Sequence, residues 1–161
     1  MRLFALILAL CATALAAKVN LYRAWSPKAT DHFYTANHGE YLNAVNRLGY
    51  KAEGVACRIL DRPERGTVPL YRAWSPSATD HFYTTSKAER DNAVKNLGYK
   101  AEGITGYIYP KDQAHKTIPL YRAWSPSARD HFYTTNKAEW ENAVRRLGYQ
   151  AEGITGYVFP K

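Results

Sequence analysis

From Leu70 onward, polar and apolar residues alternate. Leu70, Arg72 and Trp74 fall on one face and Tyr71, Ala73 and Ser75 on the other. A period of two predicts a strand, and Pro76, which has no N–H, ends it. Ser75 to Asp80 is rich in turn formers, so His81-Phe82-Tyr83-Thr84 is expected to return beside the first strand as a hairpin. The period then changes. Ser86 followed three residues later by Glu89 predicts a helix start with a capping box, as do Asn37 with Glu40 and Asn136 with Glu139. Ala93, Val94 and Leu97 form the apolar stripe of that helix, and Gly98 stands where its end wants a positive φ. From Ile104 to Tyr109 the alternation returns, with Ile104, Gly106 and Ile108 opposite Thr105, Tyr107 and Tyr109, until Pro110. The predicted order is strand, strand, helix, strand.

This pattern is written three times. LYRAWSP begins at Leu21, Leu70 and Leu120, and the steps from Tyr22 to Tyr71 and from Tyr71 to Tyr121 are 49 and 50 residues. A fixed period of this length marks a repeat architecture. The third unit stops at Pro160-Lys161 without an atypical end. An open solenoid needs capping units, and separate beads of this size without disulfide or metal are marginal. The expected fold is therefore strand-rich α+β. Three tandem strand-strand-helix-strand repeats, about 19–67, 68–117 and 118–161, close into one pseudo-threefold compact domain, trefoil-like or small-propeller-like. A site made of repeated residues then exists three times or once on the axis, which favours multivalent binding over catalysis.

The first 17 residues depart from this plan. Arg2 followed by the apolar run Leu3 to Leu15, with Ala14-Leu15-Ala16 as a small-x-small site, reads as a secretory signal peptide with cleavage after residue 16 or 17. The apolar run is too short for a membrane span. This leaves a secreted, extracellular domain from residue 18 to 161. Loss of Cys11 with the leader leaves Cys57 alone, so no intramolecular disulfide framework is available. Cys57 aligns with Gly106 and Gly156 and is expected to be a small buried residue; the alternative is a dimer-forming thiol. The formal charge of +8 favours anionic surfaces. The basic residues are spread over every unit without a nucleic-acid motif, so no nucleic-acid partner is expected.

The first unit has drifted most, with VACRILD from Val55 where the others have ITGYIYP and ITGYVFP. Its Arg, Trp, Asp, His and Glu positions still match the other two. Aromatic rings suit the C–H faces of sugars, carboxylates accept pairs of hydroxyl hydrogens, and Arg donates a planar fork. The candidate ligand-binding residues are therefore Arg23, Trp25, Asp31 and Glu53, then Arg72, Trp74, Asp80 and Glu102, then Arg122, Trp124, Asp130 and Glu152. The structural alternatives are an Arg72–Glu102 ion pair joining first strand to third, Asp80 capping its own turn, and Trp74 as core. Neighbouring Asp and His on one strand point to opposite faces, so a His–Asp relay needs a partner from another strand. Ser26, Ser75 and Ser125 lack a nucleophile-elbow context. Only if His32, His81 and His131 met on the axis would they make a three-His zinc site; no catalytic residue, metal or cofactor is expected.

Tyr71, Arg72, His81, Phe82, Tyr83, Thr84, Glu102 and Gly103, with their counterparts in the other units, carry a resemblance to a family of extracellular tandem repeats. That family occurs in bacteria and fungi, often beside secreted hydrolases or cell-wall proteins. The match covers Leu21 to Pro160 and implies an accessory, non-catalytic, carbohydrate-associated role outside the cell, with no ligand specified. The first unit departs from the pattern at Ala56 to Asp61. The expected function is a lectin-like protein with up to three related sites for glycans or cell-wall polysaccharide. One rival is a secreted structural or interaction protein adsorbing to anionic cell-wall or membrane surfaces. The other is a hydrolase built from His38, Cys57 and Asp61 of the first unit.

Overall fold

The computed structural model describes residues 15–113 and 116–161; residues 1–14 of the expected leader lie outside the described residues. Each sequence unit gives the same succession. The elements are β1 (Lys18–Ser26), β2 (Asp31–Thr35), α1 (His38–Arg47) and β3 (Lys51–Leu60), then β4 (Val68–Ser75), β5 (Asp80–Thr84), α2 (Lys87–Asn96) and β6 (Lys100–Ile108), then β7 (Ile118–Ser125), β8 (Asp130–Thr134), α3 (Lys137–Arg146) and β9 (Gln150–Val158). The protein is thus strand-rich α+β. One sheet runs β2-β1-β3-β6-β4-β5 and a smaller one β8-β7-β9. Bridges Arg58↔Phe159 and Tyr109↔Tyr157 tie β3 and the end of the second unit to the third.

The hairpins form as the turn residues predict, with Trp74 opposite His81 and Ser75 opposite Asp80. Thr79 takes a φ of 56° in that turn, costly for a β-branched residue. Its hydroxyl donates to the Ala29 carbonyl of the preceding unit at 2.9 Å, a bond that offsets part of the strain.

Four expectations need correction. The third strand starts four residues early, at Lys100, so Ala101, Glu102 and Gly103 belong to it. The first strand does not keep a clean alternation: register shifts after Leu70 and after Tyr71 let both Leu70 and Ala73 face inward, as a bulge does. Of the helix stripe only Ala93 is buried, while Val94 and Leu97 are exposed. The capping box is half made. Glu89 N–H donates to Ser86 Oγ at 3.1 Å, but the Ser86 N–H is satisfied by Thr84 Oγ1, and the Glu89 carboxylate points elsewhere. The fold also takes in residues assigned to the leader. Ala16 packs on the cluster of Leu60, Tyr109 and Phe159, and Ala17 N–H donates to Asp61 Oδ1 at 2.9 Å.

The main core joins all three units: Leu21, Tyr34, Cys57 and Ile59, Leu70, Tyr83 and Ile108, Leu120, Tyr133 and Val158. At its centre the rings of Tyr34, Tyr83 and Tyr133 meet edge to face at 5.4 to 5.5 Å. Buried phenols need partners, and these supply one another's backbones. Tyr83 Oη donates to Tyr34 O at 2.7 Å and accepts from Tyr34 N–H at 2.8 Å. Tyr133 does the same for Tyr83 and Tyr34 for Tyr133. The hydroxyls thereby satisfy backbone groups at which β2, β5 and β8 have no ladder with one another. Below this ring the units approach closely. A Cβ on Gly106 would lie 2.4 Å from Ile59 Cδ1, and one on Gly156 2.6 Å from Ile108 Cδ1. Cys57 holds the matching place in the first unit, within the same cluster as Val158, one carbon smaller than isoleucine. It is wholly buried, and burial pushes its thiol pKa up to about 12, so it is inert as a nucleophile or disulfide former.

Candidate functional site

The polar residues singled out in the sequence assemble at the boundaries between units. Where the first unit meets the second, Asp31 is fully buried. Its Oδ1 accepts from His81 N–H at 2.8 Å, and its Oδ2 accepts from His81 Nδ1 at 2.6 Å and Tyr50 Oη at 2.5 Å. Asp80 holds His131 and Tyr99 in the same way, and Asp130 holds His32 and Tyr149. The relay partner thus does come from another strand, in the next unit. Of the candidate ligand-binding residues, Asp31, Asp80 and Asp130 lie beneath the surface, each with three donors from the protein. Nor does Asp80 cap its own turn. It is the aspartates, with oxygens within 4.8 Å of one another, that converge, and not the histidines. Those oxygens are already acceptors for internal donors.

Arg72 is equally committed. Its Nη1 and Nη2 donate to the two oxygens of Glu40 at 3.0 and 2.9 Å, and its Nε lies 2.8 Å from Glu102 Oε2. Arg122 pairs likewise with Glu89 and Glu152, and Arg23 with Glu139 and Glu53. One Arg therefore joins its own third strand to the helix of the preceding unit by a fork fit for carboxylates. Burial works against the Arg72 charge, but hydrogen bonds to Glu40 and the charges of Glu40 and Glu102 hold its pKa above the ordinary guanidinium value. Burial would raise the Glu40 pKa, yet the bonds from Arg72 and Thr35 hold it below the usual carboxylate range. Burial, then the charge of Asp31 and the hydrogen bond to it, pushes the Tyr50 phenol well up.

Trp25, Trp74 and Trp124 are each half-buried, with one face on the histidine opposite. The ring centroids of Trp74 and His81 are 4.4 Å apart, as are those of Trp25 with His32 and Trp124 with His131. Beside these pairs lie two matching clefts. Phe33, Asn43, Leu48 and Tyr50 of the first unit, with His81 and Glu102 of the second, line one of about 220 Å³. Phe82, Asn92, Leu97 and Tyr99, with His131 and Glu152, line the other, of about 210 Å³. The third boundary repeats the geometry around Phe132: His32 lies 4.9 Å and Tyr149 5.9 Å from its ring centroid, and Arg23 lies 5.5 Å over it. Larger clefts open on the far side of the Arg–Glu bridges, up to about 420 Å³ beside Asn136 and Lys161, but no aromatic ring lines them.

Of the candidates, Glu102 and Glu152 line the smaller clefts and Glu53 holds the matching place. Arg72 also borders one, with its Nη1 and Nη2 bonded to Glu40. The sequence reading missed Tyr50, Tyr99 and Tyr149, Asn43 and Asn92, the rim leucines Leu48 and Leu97, and the helix glutamates Glu40, Glu89 and Glu139. The signal for these was the tyrosine after each Leu-Gly and the exposed leucine before it. Among the residues invoked for a hydrolase, the His38 ring packs tilted against Tyr22 with centroids 5.0 Å apart, Asp61 binds Ala17 and Arg62, and Cys57 is in the core.

The architecture is that of a strand-rich α+β protein whose three segments are stitched by side-chain networks. A family model described as a domain of unknown function, DUF5648, matches residues 20–159, and the chain belongs to that family. No curated protein and no solved structure matches it. No helix among the described residues is long and apolar enough to cross a membrane.

Proposed function

We propose that this is a secreted, non-catalytic, lectin-like protein that binds carbohydrate in clefts between consecutive units. We also infer that the units close about a pseudo-threefold axis through the Tyr34, Tyr83 and Tyr133 ring, giving three related sites. The observation that carries the reading is the cleft beside Tyr50. It offers apolar walls from Phe33 and Leu48 next to the hydrogen-bonding groups of Asn43, His81 and Glu102, the combination a sugar ring with one C–H face and a rim of hydroxyls requires. Its size suits one ring, below the roughly 300–1,000 Å³ of drug-sized sites. Weak single sites would gain by avidity on a dense surface.

The non-catalytic part rests on what the polar residues do. The histidines are clamped between Asp and Trp, and the Ser75 hydroxyl accepts from the Ala78 amide at 3.1 Å inside its turn. The secretory leader remains part of the proposal. A glycan array at low and moderate salt tests it: binding to one sugar class that persists at a few tenths molar salt is expected. The second reading, adsorption to anionic walls or membranes, is favoured by the charge of +8. It predicts binding only to acidic surfaces, lost as salt screens it.

A further inference from the structure

We infer that the boundary clefts prefer sugars bearing free, protonated amino groups, a glucosamine-type polymer, over neutral or acidic sugars. This rests on the carbohydrate reading above. At the cleft beside Tyr50, Arg72 is held by two carboxylates, Glu40 and Glu102, at 2.8 to 3.0 Å, and a third, Asp31, lies beneath against His81. The guanidinium turns its Nη1–Nη2 fork onto Glu40 and its Nε edge onto Glu102, so both of its carboxylate-matching edges face protein glutamates rather than an acidic sugar. Glu102 lies instead at the cleft, its side chain 30% exposed, and its Oε2 lies 3.7 Å from His81 Nε2. An ion paired on one side and open on the other accepts further donors from the cleft. An ammonium supplies three donors and no acceptor, while a uronate meets two glutamates and is repelled. The second boundary has the same plan, with Arg122 held by Glu89 and Glu152 and Glu152 27% exposed.

The formal charge of the whole chain points the other way. At +8 it attracts polyanions and repels polycations, so selective binding of an amine polymer arises only from local acidity. Non-specific adsorption therefore cannot imitate the expected result.

The test is calorimetric titration of the full mature protein with four oligosaccharides of equal length: β-1,4-linked glucosamine, its fully N-acetylated form, a neutral glucan and a polyuronate. It is run at pH 6 in a few tenths molar salt. The glucosamine oligomer is expected to bind about 3–10-fold more tightly than its N-acetylated form, the gain of a few partly exposed ion pairs. Glu53→Gln, Glu102→Gln and Glu152→Gln together are expected to remove that preference. Far-UV and near-UV circular dichroism would show that the fold is retained. Acetylating the ligand asks the same question without altering the protein. Equal or tighter binding of the neutral, N-acetylated or uronate oligomer overturns the inference while the carbohydrate reading stands. Binding of none of the four overturns both.

Discussion

Gly106 is the point at which the second unit is pressed hardest against the first. An alanine Cβ there would meet Ile59 Cδ1 at 2.4 Å, Leu60 O at 2.8 Å and Ile59 Cγ1 at 3.1 Å. Comfortable carbon contacts begin near 3.5 Å, so the isoleucine tip must move by about 1 Å. The Leu60 carbonyl cannot swing away, because its residue is bridged to Tyr107, and Ile59 is wholly buried. Overpacking of this kind costs about 1–3 kcal/mol, and a backbone clash puts Gly106→Ala at the upper end. The alanine recovers about 0.4–1 kcal/mol by restricting the unfolded chain, leaving a net loss of about 2 kcal/mol. Urea denaturation should show a lower midpoint at unchanged slope. Ile59→Val alone should cost about 0.5–1.5 kcal/mol, yet in the double variant it should relieve part of the clash. The two changes are then coupled by about 1 kcal/mol. Full additivity, or a Gly106→Ala protein within about 0.5 kcal/mol of the parent, would refute the packing of the units described here.

Other expectations follow from the same boundaries. Asp80→Ala strands three donors, the His131 amide and ring and the Tyr99 hydroxyl. It should lose about 2 kcal/mol in urea, since the stranded donors outweigh the repulsion relieved from Asp31 and Asp130. Were Asp80 a sugar ligand instead, glycan binding would fall while the urea midpoint held. Glu40, Glu89 and Glu139 have lowered pKa values: burial acts to raise them, and is outweighed by hydrogen bonds from an arginine and a threonine. A carboxylate depressed in the folded state stabilises it above the unfolded value, about 4.3, and this stability is lost as pH falls through the folded value. Stability should therefore fall steeply below about pH 4.3, and replacing all three by Gln should flatten that limb of the pH profile. Alkylation of Cys57 should need unfolding: a thiol-reactive dye that labels the native protein as fast as the urea-unfolded chain would contradict its burial.

The element order was legible because each unit punctuates itself: Pro76 after a strand, Ser86 before a helix, Gly98 after it. What local periodicity does not encode is which unit a side chain answers to. The Arg72–Glu102 pair was foreseen, since both ends lie in one unit. Its other half, Glu40, was hidden because Glu40 also fits the third position of a capping box. Asp31 and His32 are neighbours in sequence, yet their partners are His81 and Asp130, in two different units. Tyr83 looked like an ordinary strand residue; only packing shows its hydroxyl replacing a ladder. A bulge between Leu70 and Tyr71 reassigned faces that strict alternation had fixed. The cleft was missed for the same reason, because its walls come from two units and neither half is distinctive alone.

Identity between units has a structural explanation. Asp31, Asp80 and Asp130 each bind the histidine of the next unit, and Glu40, Glu89 and Glu139 each bind its arginine. A unit must therefore carry both halves of every pair, whatever it binds. Segment 67–113 holds them all: Asp80 with His81, Glu89 with Arg72, and Gly106 with the Ile108 that elsewhere faces Gly156. Alone, it is too small to bury a sufficient core, and its Tyr83 has no neighbours to bond. Three copies, however, could make every boundary contact with one another. Sedimentation equilibrium of the isolated segment should thus show a folded trimer in equilibrium with unfolded monomer, with helicity rising with concentration. A folded monomer would mean that each unit is self-sufficient and that the Tyr, Asp and Arg networks are incidental to folding. A trimer that also binds the sugar recognised by the whole chain would place the site at the boundary, since the boundary is the only feature that the assembly creates.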